Sequence, residues 1–291
     1  MSANCEIVNT YEVLEHVMGI NGLHPHRLAA IRNMRVRLVQ HVNNAASLSE
    51  GIVLDIGCGS GAGTYELAKL FKGGQRVIGI DINSHAIESA KKQYSSQTNL
   101  SFYHGDFKGL LQDHPDFQMS AAICISVSMF IHDIKEFYQH VHHTLLEGGL
   151  FIDAPFMFRE TKKSNHHEFH RRTYANCGCN MKMLHLQQIK SIFHEAGFSK
   201  VDCVEHDFEL MKLPVLFSDY SARYLLGNFF RNIISPPPHF GKISSRYLFK
   251  RTVKIFLFFL ANRKKYSAGE IGAVKEKNSE LNLCRARGDI N

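Results

Sequence analysis

The chain has 291 residues, of which 44% are hydrophobic and 21% charged, with 21 glycines and 7 prolines. This composition excludes disordered, collagen-like and low-complexity classes. The length predicts one large α/β domain or two small ones.

The net charge of +7 is unevenly distributed along the chain. Residues 1–210 hold 19 basic and 22 acidic side chains, whereas residues 211–291 hold 15 and 5. Such an asymmetry indicates an anionic partner for the basic part, either nucleic acid or an acidic membrane surface. A solvated basic face is the alternative.

The cysteines and the N-terminal residues indicate the cellular compartment of the protein. The seven cysteines are odd in number and widely spread, unlike a secreted disulfide scaffold. Residues 1–15 carry three glutamates and no basic start before an apolar run, so no signal peptide is predicted. The longest apolar stretch, 255–261, is shorter than the roughly 20 residues that span a bilayer. We therefore expect a cytoplasmic protein, with peripheral membrane contact left open.

Short β-rich runs alternate with helical patterns between Val53 and Asp153, which is typical of βαβ units and a mostly parallel sheet. The predicted strands are 53–56, 76–80, 100–103, 121–125, 150–153, 201–208 and 270–274. Helical spacing of apolar residues predicts helices near 65–70, 87–94, 134–145 and 186–196, the last stopped by Gly197.

These elements give five segments. We expect a helical N-terminal segment or lid over 1–50, a core over 51–209, a basic, aromatic and helical insertion over 210–268, a final core strand over 269–276 and a flexible tail over 277–291.

The most informative motif is a glycine-rich turn between the first strand and its helix, Asp55-Ile56-Gly57-Cys58-Gly59-Ser60-Gly61. Glycines permit positive φ and close approach of a ligand to the backbone. The glycines formally fit a dinucleotide fingerprint as well. Asp55 argues against that interpretation, because its carboxylate would repel a pyrophosphate, whereas it suits a ligand that carries an ammonium group.

Two more acidic residues follow the next two strands. Asp81 closes the second strand, where a carboxylate can accept both hydroxyls of a ribose. Asp106 follows the third strand within Gly105-Asp106-Phe107. Because ligands of open α/β sheets bind at the carboxyl ends of the strands, these residues predict a site for an amino group, a ribose and an adenine.

From Ile52 to about Val274 the chain resembles the class I S-adenosylmethionine-dependent methyltransferases, in particular those of small molecules. The resemblance rests on the glycine-rich turn, Asp81, Gly105-Asp106-Phe107, Leu145-Leu146-Glu147-Gly148-Gly149 and Glu195-Ala196-Gly197-Phe198. It implies an α/β, doubly wound, Rossmann-like fold with a mostly parallel seven-stranded sheet, an antiparallel last strand and a C-terminal helical insertion.

The resemblance also implies S-adenosyl-L-methionine as the cofactor. Asp81 would hold the ribose, Asp106 the adenine amino group and Phe107 the adenine ring. The predicted cofactor residues are Asp55, Gly57, Cys58, Gly59, Gly61, Asp81, Ile82, Gly105, Asp106, Phe107 and Ser126.

Catalytic and substrate residues are less well marked. Many members carry a His after the fourth strand, where this chain has Met129. His132 is therefore the candidate general base. The alternative is that His132 is an ordinary loop residue without a catalytic role. Asp133 is predicted to cap the next helix. Arg171 and Tyr174 are candidate substrate contacts, although a solvated basic loop explains them equally.

A zinc site is the weaker interpretation of the His- and Cys-rich stretch, because Cys-x-Cys is not the usual ligand spacing. We therefore predict no metal. The residues concerned are His166, His167, His170, Cys177 and Cys179.

The sequence favours an S-adenosylmethionine-dependent methyltransferase that acts on a small or lipophilic acceptor. A nucleic-acid methyltransferase is the alternative, but no Asn-Pro-Pro-Tyr-like run follows the fourth strand. A cofactor-binding regulatory protein without transfer activity is the other. Residues 246–265 combine basic and apolar side chains at helical spacing, which indicates either a membrane-contacting helix or a lid. The oligomeric state is left open.

Overall fold

A β-sheet covered by helices on both faces forms the centre of the protein. The computed structural model describes residues 25–49, 51–71, 74–158, 182–206 and 266–276. Its strands are β1 (Ile52–Ile56), β2 (Val77–Asp81), β3 (Leu100–His104), β4 (Met119–Ile125), β5 (Leu145–Ala154), β6 (Phe156–Phe158), β7 (Lys200–His206) and β8 (Tyr266–Val274).

The helices alternate with the strands as the periodicity predicts. They are α1 (Pro25–Asn43), α2 (Ala62–Leu70), α3 (Ser84–Gln93), α4 (Phe107–Asp113), α5 (Ile134–Thr144) and α6 (Leu186–Glu195), with short 3-10 helices at Ala46–Leu48 and Ser128–Phe130. Among the described residues, no helix is long and apolar enough to cross a membrane.

The sheet has the order β3-β2-β1-β4-β5-β8-β7, in which β1 to β5 are parallel and β8 runs antiparallel to both of its neighbours. β6 pairs with β8 in the register that β5 already set, so it continues β5 beyond Pro155. Proline lacks the N–H that a ladder needs, which explains the break. The predicted seven-stranded, mostly parallel sheet with an antiparallel last strand is therefore confirmed.

Several predicted boundaries differ from the structure. β8 begins at Tyr266, three residues before the predicted start of the final strand, because residues 266–268 pair with β6 and Ala268 also pairs with β7. α5 ends at Thr144, and Leu145 already belongs to β5. α4 was not predicted. Residues 1–24, 207–265 and 277–291, which include most of the predicted insertion and tail, lie outside the described residues.

The two faces of the sheet hold two separate cores. Val53, Ala121 and Ile152 pack towards α1 and α2. Leu54, Ile80 and Phe151 pack towards α4, α5 and α6. Alternation along each strand thus decides which layer a residue contacts.

α1 is fixed to the sheet by a buried stripe and by polar side chains. Met34, Leu38 and Val42 lie four residues apart and are buried. Arg37 forms an ion pair with Glu270 of β8, and His41 contacts the Gly148 carbonyl oxygen at 2.7 Å. The N-terminal helix is therefore part of the folded core.

Candidate active site

The glycine-rich turn between β1 and α2 is held against the end of β2. The N–H groups of Gly57 and Cys58 both donate to the Ile80 carbonyl oxygen, at 2.8 and 3.0 Å. Gly57, Gly59 and Gly61 have φ angles of 75°, 54° and 81°. Only glycine adopts this region without strain, so the loop requires the residue type found there.

Two of these glycines also leave no room for a side chain. A Cβ at Gly61 would lie 2.6 Å from the Phe102 ring. A Cβ at Gly57 would lie 2.2 Å from Cγ2 of Val127. Gly61 therefore packs the loop onto the sheet, and Gly57 packs it onto the segment that follows β4.

Asp81 fastens the loop from the neighbouring strand. Its Oδ2 accepts a hydrogen bond from the Gly59 N–H at 2.8 Å, and its Oδ1 accepts one from the Asn83 N–H at 2.9 Å. Burial raises the pKa of this carboxyl, and the two backbone donors partly offset that rise. Each carboxylate oxygen has a second lone pair, so both can still accept a hydroxyl of a ligand.

Asp55 lies on the other face of the sheet from the cavity described next. It is buried, and its Oδ2 accepts a hydrogen bond from Thr64 of α2 at 2.8 Å. Burial raises the pKa of its carboxyl, whereas the nearby Arg35 guanidinium lowers it. The structure therefore gives Asp55 a role in joining β1 to α1 and α2.

A cavity of about 480 Å³ opens at the carboxyl ends of the strands. Six of the predicted cofactor residues line it, namely Gly57, Asp81, Ile82, Gly105, Asp106 and Phe107. The other five do not appear in its lining: Asp55, Cys58, Gly59, Gly61 and Ser126. Burial raises the pKa of the Cys58 thiol, which keeps that side chain neutral.

Asp106 and Phe107 open α4 at the edge of this cavity. Asp106 caps the helix, since its Oδ1 accepts a hydrogen bond from the Gly109 N–H at 2.7 Å. Phe107 is buried with its ring edge-on to Phe137. The predicted adenine contacts thus lie beside Asp81 and Ile82 on one wall.

His132 lines the same cavity and is exposed. Its carbonyl oxygen accepts a hydrogen bond from Lys182 Nζ at 2.6 Å. Asp133 caps α5 through the Glu136 N–H, as predicted. The role of His132 as a base stays a prediction. Arg171, Tyr174 and the candidate zinc ligands between 166 and 179 lie outside the described residues.

The structure adds cavity residues that the sequence did not indicate. They lie in the segment after β4, in α5 and in the few residues before α6: Val127, Phe130, Ile131, Glu136, Phe137, His140 and Lys182. Helical spacing identified Phe137 only as a sheet-covering residue. No pattern in the sequence marks Lys182.

An acid and a phenol are buried beneath this segment. Tyr138 of α5 donates a hydrogen bond to Oδ2 of Asp153 in β5 at 2.5 Å, and both side chains are fully buried. Cys124 of β4 is the strand neighbour of Asp153. Burial raises the pKa of the Asp153 carboxyl from 3.8 to about 6, although the Tyr138 hydrogen bond acts in the opposite direction.

We expect Asp153 to make the stability of the fold depend on pH. A carboxyl with a raised pKa binds its proton more tightly in the folded state, so its contribution is lost as the pH rises through the folded-state value near 6. Between pH 4.5 and 7.5 this amounts to about 2 kcal/mol. The measurement is urea denaturation of wild type and Asp153→Asn at several pH values.

Because all other groups titrate in both proteins, the stability difference between them isolates Asp153. It should move in favour of the Asn variant as the pH increases. A difference that stays constant over this range would contradict the assigned pKa.

Comparisons with known proteins agree with this geometry. Residues 53–149 match the family model described as "Methyltransferase domain". The chain is 26% identical over 195 residues to sterol 24-C-methyltransferase erg6 of Aspergillus fumigatus, which covers 65% of this chain and 49% of that protein. It is 33% identical over 130 residues to malonyl-[acyl-carrier protein] O-methyltransferase of Halalkalibacterium halodurans, covering 43% and 47%.

Among solved structures, an S-adenosylmethionine-dependent methyltransferase from Thiobacillus denitrificans in complex with S-adenosyl-L-homocysteine superposes with a TM-score of 0.60. That match has 19% identity and covers 93% of this chain and 98% of the other. It supports the fold. The chain spans half or less of the length of the curated relatives it matches.

The matched family model covers β1 to the first half of β5, which includes the glycine-rich turn, Asp81, Asp106 and the cavity between them. The sheet order with an antiparallel β8 extends the agreement to the end of the described core. The chain therefore contains a methyltransferase domain, and its fold is that of the class I S-adenosylmethionine-dependent methyltransferases.

Proposed function

We propose that the protein transfers a methyl group from S-adenosylmethionine to a small or lipophilic acceptor. The observation that carries this proposal is the junction of the glycine-rich turn with Asp81 at the mouth of the cavity. The match covers only part of the length of the curated relatives, so the acceptor is inferred from the chemistry of the site and from what those relatives are named for.

The residues at the cavity fit the adenosine part of this cofactor. Asp81 offers two carboxylate oxygens to ribose hydroxyls. Ile82 and Phe107 offer apolar surface to a planar base, and Asp106 lies beside them. Gly57 lines the cavity, and a side chain there would clash with Val127.

The cofactor supplies an activated methyl group on a positively charged sulfur. In-line transfer needs alignment of the acceptor with that methyl group and exclusion of water, and it needs little covalent chemistry from the protein. The loop backbone and Asp81 would provide the alignment. His132, at the rim, would take a proton from an acceptor hydroxyl if one is present.

A lipophilic acceptor is favoured by the apolar side chains that line the cavity after β4. Val127, Phe130 and Ile131 line the cavity with carbon, and Phe137 closes it from α5. Two relatives are named for sterol methylation and for methylation of malonyl-acyl-carrier protein. A sterol is an extended apolar molecule, which the apolar side chains of the cavity would contact.

Two experiments test the proposal in sequence. Calorimetry with S-adenosylmethionine, S-adenosylhomocysteine and NAD should show binding of the first two only. Incubation with methyl-labelled cofactor and separate lipid, nucleic-acid, protein and polar-metabolite fractions should then place label in lipid or in apolar metabolites. Binding of NAD alone would refute the cofactor, and label confined to nucleic acid would refute the acceptor class.

We also propose that residues 246–265 contact an anionic membrane surface. Arg246, Lys250 and Lys254 are spaced four apart, with apolar and aromatic residues between them and Arg263-Lys264-Lys265 at the end. Each basic side chain near an anionic surface contributes on the order of 1 kcal/mol. The proposal rests on the sequence, since this segment lies outside the described residues.

The protein should therefore sediment with anionic vesicles and not with neutral ones. We expect Lys250→Glu, Arg251→Glu and Lys254→Glu together to abolish this binding, and added salt to weaken it in wild type. The matched control changes three exposed lysines on α2 and α3 to Glu. This variant, with Lys69→Glu, Lys91→Glu and Lys92→Glu, should sediment as wild type does. No sedimentation of wild type with either vesicle would leave the lid as the role of this segment.

A further inference from the structure

The segment between β4 and α5 connects the cavity to the buried acid. Three residues of this segment line the cavity: Val127, Phe130 and Ile131. Val127 also packs against Gly57, so closely that a Cβ there would overlap its methyl groups. Any movement of this segment would therefore change both the cavity wall and the support of the glycine-rich turn.

The same segment is held in place at Ser126 and Ser128, two residues that do not line the cavity. Ser126 has a φ of 61°, the one non-glycine positive φ among the described residues, and its N–H donates to the Ala154 carbonyl oxygen at 3.1 Å. Ala154 directly follows Asp153. Ser128 is fully buried and its hydroxyl lies beside the Tyr138–Asp153 pair. Strained backbone of this kind persists only where surrounding contacts hold it.

We propose that Tyr138 and Asp153 are positioning residues for cofactor binding. They hold residues 126–131 against the glycine-rich turn and do so without lining the cavity themselves. This inference rests on the proposed function for its binding readout. Neither side chain lines the cavity, so the pair acts through Ser126, Ser128 and Val127.

The chemistry of the pair makes removal of the phenol hydroxyl the informative change. Tyr138 donates a hydrogen bond to Oδ2 of Asp153, and Asp153 Oδ1 and Ser128 Oγ are buried beside this pair. Tyr138→Phe would leave a buried carboxylate without that donor. Such a group draws in water or moves towards another donor, and the segment above it would shift.

The conservative change at the other residue should behave differently. Asp153→Asn keeps an acceptor oxygen for Tyr138 and adds an N–H that can reach the Ser128 hydroxyl. We expect the Kd for S-adenosylhomocysteine to increase roughly tenfold in Tyr138→Phe and less than about threefold in Asp153→Asn. In the double variant, Asp153→Asn should recover part of the affinity that Tyr138→Phe loses, because no unpaired charge is then buried.

Ser120→Ala is the matched control. Ser120 is a fully buried hydroxyl at the opposite end of β4, and it donates to the Leu48 carbonyl oxygen at 2.5 Å. Its removal should destabilise the fold without changing the Kd. Equal weakening in Ser120→Ala and Tyr138→Phe, or unchanged affinity in a folded Tyr138→Phe protein, would overturn the inference.

A second readout does not depend on the cofactor. In the protein without ligand, amide hydrogen exchange at residues 126–131 should be at least about tenfold faster in Tyr138→Phe than in wild type or Ser120→Ala. If wild type binds neither form of the cofactor, the proposed function fails while this exchange result still decides the positioning role. Unchanged exchange at residues 126–131 would refute that role.

Discussion

Asp81→Ala should weaken binding of S-adenosylmethionine by about a hundredfold or more. Hydrogen bonds to a charged group contribute roughly 1.5–3 kcal/mol each, and the variant would lose those to the ribose. It would also lose the acceptors for the Gly59 and Asn83 N–H groups, which hold the glycine-rich turn in place. Calorimetry with the intact protein measures the change.

Two variants separate these contributions. Asp81→Asn keeps one acceptor oxygen but removes the charge, and it should lie between wild type and Asp81→Ala. Glu88→Ala removes an exposed carboxylate from the adjacent α3 and should bind as wild type does. If Asp81→Ala retains wild-type affinity while folded, the cofactor does not bind at this edge of the sheet.

The carboxyl ends of the strands were the most predictable part of the site. Asp81 and Asp106 follow strands whose apolar runs are plain in the sequence, and parallel pairing brings those ends to one edge. Both carboxylates line the cavity. Their bonds to backbone N–H groups depend on loop geometry that no periodicity encodes.

Asp55 shows where the sequence argument was incomplete. Its place two residues before the first glycine predicts that it faces the ligand. Side chains of a strand alternate between faces, so Asp55 shares the face of Val53, while Ile56 lies on the face of the cavity. Its partners Arg35 and Thr64 come from α1 and α2. Applying the alternation to β1 would have placed it there.

The cavity-lining residues after β4 and before α6 illustrate a different limit. Val127, Phe130 and Lys182 reach the cavity from segments with no regular pattern, and Lys182 is far from the others in sequence. The Lys182 N–H donates to the Met129 carbonyl oxygen at 2.7 Å, a contact between chain segments that only the tertiary fold creates. The α4 helix was missed because it spans only seven residues.

Gly57→Ala should abolish cofactor binding and destabilise the fold by about 2–5 kcal/mol. A φ of 75° costs an L-residue on the order of 1–2 kcal/mol, and forcing a methyl group against Val127 adds roughly 1–3 kcal/mol. The clash also pushes the glycine-rich turn away from the segment that carries Val127, and both line the cavity. Urea denaturation and calorimetry measure the two effects.

Gly148→Ala isolates the backbone contribution, because Gly148 has a φ of 80° and no atom within 4 Å of an added Cβ. It should destabilise the fold by about 1 kcal/mol and leave the cofactor Kd unchanged. Adding Val127→Ala to Gly57→Ala makes room for the new methyl group, so binding should partly return while the φ strain remains. Full binding by Gly57→Ala alone would show that the contact between Val127 and the glycine-rich turn does not shape the cofactor site.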